Sequence, residues 1–384
     1  MAGRAVTRSI LGMPNAHSHA FQRGLRGRAE RPGPAGGDDD FWTWRTEMFQ
    51  LAEVLDPVSM RAAALETYRE MAGAGYSVVG EFHYVHHQPD GTPYAEPNAM
   101  AHAVADAAIE AGLPIVLLPA AYYRGGWDGE DLPPAPGQRR FCDPDVEAFL
   151  ERVDALRAWA ATRSGVDVGV AAHSVRAVPR SWLQTIAAYS EQHGIVRHAH
   201  AHEQRRELEQ CQAEHGCSPI QLLERTGFLG ARASVIHGIH VSPDDVEILA
   251  RTGATVVSCP TTEGNLGDGY LPAMTYAGAG VPLAIGSDSQ VRIDPFEEAR
   301  ELETGSRRER ELRSGLLAWV GDLWNELCRN GYRSLGVRGE LEQATIEIDL
   351  DHSDLRGVDP ADLALALATC ASAAIVTRGV AACR

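Results

Sequence analysis

The chain has 384 residues, 44% of them hydrophobic and 23% charged, which is enough ordinary globular sequence for one large domain or two smaller ones. A formal net charge of -17 argues against a nucleic-acid-binding surface, which should be basic. No apolar run reaches eighteen residues, so no transmembrane helix is expected.

Arg4 and Arg8 near the N-terminus flank no apolar core of signal-peptide length, so a soluble, cytoplasmic protein is expected. All 35 basic residues are Arg, which rules out a carboxylated lysine bridging two metals. The 7 cysteines (Cys142, Cys211, Cys217, Cys259, Cys328, Cys370 and Cys383) are odd in number, scattered and without a C-x-x-C. That pattern fits reduced thiols, not a disulfide framework or structural zinc site.

In chain order, the apolar run from Ile10 leads into Met13-Pro14-Asn15-Ala16-His17-Ser18-His19, read as one strand from Ile10 to His19. Arg31 to Asp40 is rich in Gly, Pro and Asp and reads as an exposed loop. Phe41-Trp42-Thr43-Trp44-Arg45 follows, read as a loop anchored by aromatics that carries Arg45 over a site. Helical spacing runs from Ser59 to Ala74 and is closed by Gly73 and Gly75. Tyr76 to Val85 reads as a strand, Asn98 to Gly112 as an Ala-rich helix, and Pro114 to Tyr123 as a strand buried on both faces.

Pro144 to Arg163 is helical, with Asp143 expected to cap it. Strands then alternate with helices: strand Asp167–Val175, helix Pro179–His193 and strand Ile195–His202. Helical stretches Gln204–Glu214 and Pro219–Arg225 lead to strand Ala233–His240 and a capped helix ending at Arg251. Strands Thr255–Cys259 and Pro282–Gly286 follow, then a charged helix Pro295–Arg310 and a more apolar one around Leu312 to Gly331. Glu340 to Asp349 alternates in places like a strand, and Leu363 to Ala374 is rich in Ala and Leu.

Eight strand-like runs separated by helices or long connections predict a parallel sheet, and eight such units match a (β/α)8 TIM barrel. The competing architecture is an open doubly wound sheet, which concentrates its site at one switch point. Here the chemically interesting residues sit at the ends of six different strands, and a barrel gathers all strand ends around one mouth.

Side chains at i and i+2 share a strand face, so His17 and His19 can aim two imidazoles at one point. His173 ends the fourth strand. His198, His200 and His202 alternate along the fifth and are expected to point inward together, with Glu203 following. His237 and His240 end the sixth, and Asp288 the eighth. Three nitrogen ligands and one carboxylate, with a position left for water, describe a catalytic metal site. Such a metal lowers the pKa of its water to about 7. Asp288 can touch the metal and accept the water's proton, and Glu203 can reach a leaving group as a proton shuttle. Without lysine, one metal is favoured over two.

The chain resembles the amidohydrolase superfamily from about Leu11 to Arg310. His17-Ser18-His19, His200, His237 and Ile285-Gly286-Ser287-Asp288 fall in the family's order. Within it the chain looks most like the formimidoylglutamate deiminases. The motifs that carry this are Gly12 to Arg23, Phe41 to Arg45, Glu81-Phe82-His83-Tyr84-Val85-His86-His87, His173-Ser174-Val175-Arg176, and Cys259 to Glu263 with Asn265 to Gly269.

The resemblance implies a distorted barrel holding one zinc through His17, His19, His200 and Asp288, with ferrous iron as the other metal such sites take. It implies Glu203, His237 and Asp288 as catalytic groups. It also implies a pocket of Gln22, Arg45, Tyr84, His173 and Arg176 for a substrate with two carboxylates, which Arg45 and Arg176 suit as forks. The expected chemistry is deimination of N-formimidoyl-L-glutamate in histidine degradation. The runner-up is a deaminase of the same superfamily acting on a nucleobase-like ring or related amidine. A catalytically dead barrel used for binding is the third reading, but no ligand residue is missing. The expected partners are the small dicarboxylate and a second copy in a homodimer, with no nucleic acid and no membrane.

Two departures stand out. Only 16 residues precede His17, and the tail after Gly336 is unlike the family's, so a reduced or incomplete small β-sandwich is expected from the chain ends. The expected division is 1–9 as a remnant of that sandwich, 10–335 as the barrel and 336–384 as a C-terminal extension. Secondly, His202 stands where a small or apolar residue is expected. It reads as an innocent imidazole, a perturber of Glu203, or a draw for a second metal.

Overall fold

Runs that are apolar throughout have no face to offer water, so they pair into a sheet covered on both sides. In the computed structural model, which describes residues 6–30 and 41–379, Tyr76–His83 and Ile115–Ala121 are buried at every position. The barrel strands are β1 (Met13–Ser18), β2 (Tyr76–His83), β3 (Ile115–Ala121), β4 (Val170–Ser174), β5 (Arg197–Ala201), β6 (Ala233–His237), β7 (Thr255–Ser258) and β8 (Leu283–Ile285). They pair in that order, all parallel. A bridge between Ser18 and Asp288 joins the last strand to the first, making a TIM barrel.

Gly286 makes that closure possible. A Cβ there would sit 2.6 Å from the His17 carbonyl oxygen and 2.8 Å from its nitrogen, so only glycine lets β8 come this close to β1. A buried network reinforces the seam. The Asn15 amide donates to Ser287 Oγ (2.6 Å), Ser287 Oγ donates to Gln290 Oε1 (2.7 Å), and Gln290 Nε2 donates to Ser18 Oγ (3.0 Å).

The helix Leu323–Ser334 closes the N-terminal mouth. Its Asn330 amide donates to Leu283 O (2.9 Å), its Tyr332 hydroxyl to Gly12 O (3.0 Å), and Ser234 and Ser334 share a hydroxyl bond of 2.8 Å. At the chain ends, Thr7–Leu11 pairs antiparallel with Thr345–Asp349, which pairs with Val376–Arg378. These three strands form one small antiparallel sheet apart from the barrel. Its first strand crosses the 9/10 boundary expected from the sequence, because the Ile10–His19 run is two strands. Thr7–Leu11 serves the small sheet and Met13–Ser18 the barrel.

Other local expectations are corrected. Phe41 to Arg45 is the first turn of a helix, Phe41–Glu53, not a loop, and it buries Phe41, Met48 and Ala52. The helix after Asp143 runs Val146–Ala160 and is capped by Asp145, which accepts from Ala148 N. Asp143 is instead buried against Arg152 (2.7 Å) and His87 (3.2 Å). The fourth strand breaks at Gly169 into Val166–Val168 and β4. The Arg31–Asp40 segment and Cys383 lie outside the described residues, and the six described cysteines are free. No helix among the described residues is long and apolar enough to cross a membrane.

Candidate active site

Every barrel strand ends at the same mouth, and the described residues strained there are functional candidates. Positive φ at a non-glycine residue costs of order 1–3 kcal/mol and persists only when the surroundings impose it. His202, Asp288 and Gln290, with φ of 59°, 44° and 64°, lie just past strand ends, and His237, with φ of 73°, is the last residue of β6. Glu81 on β2 holds the chain on both sides of His19. One carboxylate oxygen accepts from Ser18 Oγ (2.7 Å) and the other from Ala20 N (2.8 Å).

This frame brings His17, His19, His200 and Asp288 together. The ligand atoms of the three histidines lie within 4.8 Å of one another. Asp288 Oδ1 is 3.5 Å from both His17 Nε2 and His19 Nε2. His19 Nδ1 bonds Phe82 O and His200 Nδ1 bonds His173 O, each at 2.8 Å. With those ring nitrogens as donors, both Nε2 atoms keep bare lone pairs, the arrangement in which outer partners orient metal ligands. Burial holds His17 neutral by pushing its pKa down to about 3, and it lowers those of His19 and His200 as well. Burial opposes charge on Asp288 too, yet His17, His19 and His237 hold its carboxyl below the usual carboxylate range. Three neutral nitrogens and an anionic oxygen converge, and His200 Nε2 faces His17 Nε2 at 3.1 Å. That donor set fits a divalent cation.

Beside it stand Glu203 and His237. His237 Nε2 is 3.5 Å from Glu203 Oε1 and 3.9 Å from Asp288 Oδ2, and its Nδ1 is 3.3 Å from Glu263 Oε1. Burial works against a charged His237, but Glu203, Glu263 and Asp288 outweigh it and push the pKa up to about 10. Burial raises the pKa of Glu203, against the pull of His237 and Arg176.

All five residues expected to bind substrate line one small cleft with His19, His200, Glu203, His237 and Asp288. His17 lies beneath it, fully buried. Gln22 donates to the Tyr84 hydroxyl (2.8 Å), and Arg45 donates to Tyr122 (3.1 Å), which also accepts from Gln138 (2.7 Å). Burial keeps His173 neutral. Arg176 lies 3.6 Å from Glu203 Oε2, with Phe41 and Trp42 over its guanidinium. Two wider grooves, one around Arg232 and Arg333 and one beside His240, contain none of these residues.

The three-histidine alternation on β5 is corrected. His198 points inward but one layer down, bonded to Ser334 O (2.9 Å) in the plug helix. The strand ends at Ala201, and the positive φ of His202 turns its ring away. His202 Nδ1 bonds His240 O (2.8 Å) and its Nε2 accepts from Ile220 N (3.2 Å), so both nitrogens are used in tying loops. Sequence reasoning missed Glu263 behind His237, Glu207 behind Arg176, and the Tyr122–Gln138 support of Arg45. Two left a signal: Glu207 stands four residues after Glu203 at the start of a helix, and Glu263 closes the Cys259 to Glu263 motif.

A model of the amidohydrolase family matches residues 10–342. The chain belongs to the amidohydrolase family. It is 41% identical over 298 residues to formimidoylglutamate deiminase of Pseudomonas aeruginosa, a match covering 78% of this chain and 64% of that protein. It is 29% identical to 5-methylthioadenosine/S-adenosylhomocysteine deaminase of Desulforudis audaxviator, over 53% of this chain and 47% of that one. The chain therefore spans less than two thirds of these curated relatives. An amidohydrolase crystal structure from Brucella melitensis superposes with a TM-score of 0.87 at 34% identity, covering 97% of this chain and 85% of that one. A zinc-bound adenosine deaminase from Xanthomonas campestris shares the fold at a TM-score of 0.78 and 19% identity, covering 98% and 80%. The superfamily is metal-dependent, in keeping with the histidine–aspartate cluster.

Proposed function

We propose that this chain is a zinc-dependent deiminase that hydrolyses N-formimidoyl-L-glutamate to N-formyl-L-glutamate and ammonia, a step of histidine degradation in the cytoplasm. One observation carries the reading. The His17–His19–His200–Asp288 cluster shares its cleft with two guanidinium groups, Arg45 and Arg176, so an amidine carbon can be presented to the cluster while carboxylates are held. The 41% identity to a named formimidoylglutamate deiminase supports the same substrate.

His17, His19, His200 and Asp288 would hold one zinc, and ferrous iron accepts the same donors. When bound, the metal lowers the pKa of water so that a nucleophile exists at neutral pH. Asp288 offers Oδ1 toward the two histidines and Oδ2 toward the cleft side, where it takes the proton of the attacking water. His237 Nε2–H faces the place where negative charge grows as the amidine carbon becomes tetrahedral. Glu203, kept protonated more readily by its burial, gives its proton to the departing nitrogen. Arg45 and Arg176 hold carboxylates, and Gln22, Tyr84 and His173 shape the wall between them and the reacting carbon. One water is consumed and one ammonia released.

The relatives named for 5-methylthioadenosine and S-adenosylhomocysteine make a nucleobase-like ring the competing substrate class. A neutral ring leaves two buried-site arginines without an anion. A panel of N-formimidoyl-L-glutamate, formimidoyl-glycine, adenosine and guanine tests the reading. Turnover confined to the first compound supports it; turnover of a nucleobase or nucleoside alone overturns it.

A further inference from the structure

A buried carboxylate with no place in the cleft stands behind one of its arginines. Glu207 is the third residue of the helix Arg205–His215 and is fully buried, yet it does not line the cleft. Burial raises its pKa, which marks the strain of keeping a charge there, and Arg176 opposes that rise. Its Oε2 accepts from Glu203 N (3.3 Å). Its Oε1 lies 3.7 Å from Arg176 Nε, and neither of these two buried atoms has a hydrogen-bond partner among the described residues. A buried charge of this kind is costly unless it is paired, and apolar side chains of similar volume would fill the space without that cost.

We propose that Glu207 is a positioning residue that aims the Arg176 fork at a substrate carboxylate. Glu207 takes the Nε edge of the guanidinium and Glu203 faces Nη2 at 3.6 Å, while the ring centroids of Phe41 and Trp42 lie 6.0 and 5.7 Å from its Cζ. The end of the fork is left for a planar carboxylate, the two-nitrogen geometry that such a group matches best. The same carboxylate accepts from the backbone N–H of Glu203 (3.3 Å), a bond that the side-chain oxygen of a Gln at 207 can keep. This rests on the deiminase reading for the identity of the substrate, but the placement of Arg176 does not depend on it.

The test is a double-mutant cycle. Wild type, Glu207→Gln, Arg176→Ala and the double variant are compared for ammonia release from N-formimidoyl-L-glutamate, with metal content measured on each. Glutarate, an inert dicarboxylate, is titrated calorimetrically into the same four proteins. Glu207→Gln should raise KM and weaken glutarate binding by about tenfold, with kcat falling much less, and should add nothing in the Arg176→Ala background. Glu207→Asp, which keeps the charge one methylene short, should fall between and serves as the comparison if the Gln variant does not fold. A Glu207 effect below twofold, or an equal effect with and without Arg176, overturns the proposal. If wild type releases no ammonia, the substrate assignment fails, and the glutarate cycle still decides the role of Glu207.

Discussion

Replacing Glu203 with Gln tests the proton-transfer assignment with minimal change of shape. The carboxylate lies 3.5 Å from His237 Nε2 and 3.6 Å from Arg176 Nη2, inside a site where burial raises its pKa. The amide keeps the volume and one acceptor but cannot deliver a proton. A positioned general acid contributes about 10²–10⁴ in rate, or roughly 2.7–5.5 kcal/mol at 1.36 kcal/mol per tenfold. Glu203 is not one of the converging metal ligands, so metal content should stay at the wild-type level. The assay is steady-state ammonia release from N-formimidoyl-L-glutamate, with metal measured on the same sample. The expected result is a kcat lowered by at least about 10² with KM changed by only a few-fold. A kcat within tenfold of wild type, metal still bound, would falsify the assignment.

Three further outcomes follow from the same geometry. Arg176→Ala should raise KM by about 30- to 5,000-fold, because truncating one partner of a buried charge pair costs about 2–5 kcal/mol, while metal stays bound; an unchanged KM removes Arg176 from the substrate grip. His200→Ala should abolish metal retention after dialysis, since its Nε2 belongs to the converging set; full metal content in that variant contradicts the ligand assignment. Asp143→Asn should destabilise the fold by about 3–5 kcal/mol at pH 7, since it leaves Arg152 buried without its anion. Burial opposes the Asp143 charge, but Arg152 and then His87 hold its carboxyl below the usual range. Its contribution is therefore complete above about pH 4 and is lost as the pH falls through the lower folded value. Denaturant titrations at pH 7 and pH 3 should show the gap between variant and wild type narrowing at pH 3, and a gap that does not narrow refutes the pairing.

The barrel was legible because apolar strands buried on both faces write themselves as continuous runs, and because His17, His19, Glu203, His237 and Asp288 stand at strand ends. What strand periodicity could not show is where a strand stops. His198 and His200 obey the alternation, but His202 lies one residue beyond Ala201, where a positive φ swings the ring out. Asp143-Pro144-Asp145 offers two residues able to cap a helix, and the choice rests on Arg152 and His87 claiming the first. The helix at Phe41 was hidden because its aromatics resemble loop anchors and its apolar face is thin, burying only Phe41, Met48 and Ala52. The long-range pairings that support the site were not legible. Glu81 to Ser18, Asn15 to Ser287, and Tyr122 to Arg45 join residues 63, 272 and 77 positions apart, and no local pattern encodes such pairings.

The most direct test of the account is ammonia release from N-formimidoyl-L-glutamate by the purified protein, with zinc determined on the same sample. Release with about one zinc per chain is the predicted result. Zinc bound at that level with no release from this substrate, and release instead from a nucleobase or nucleoside, would contradict it.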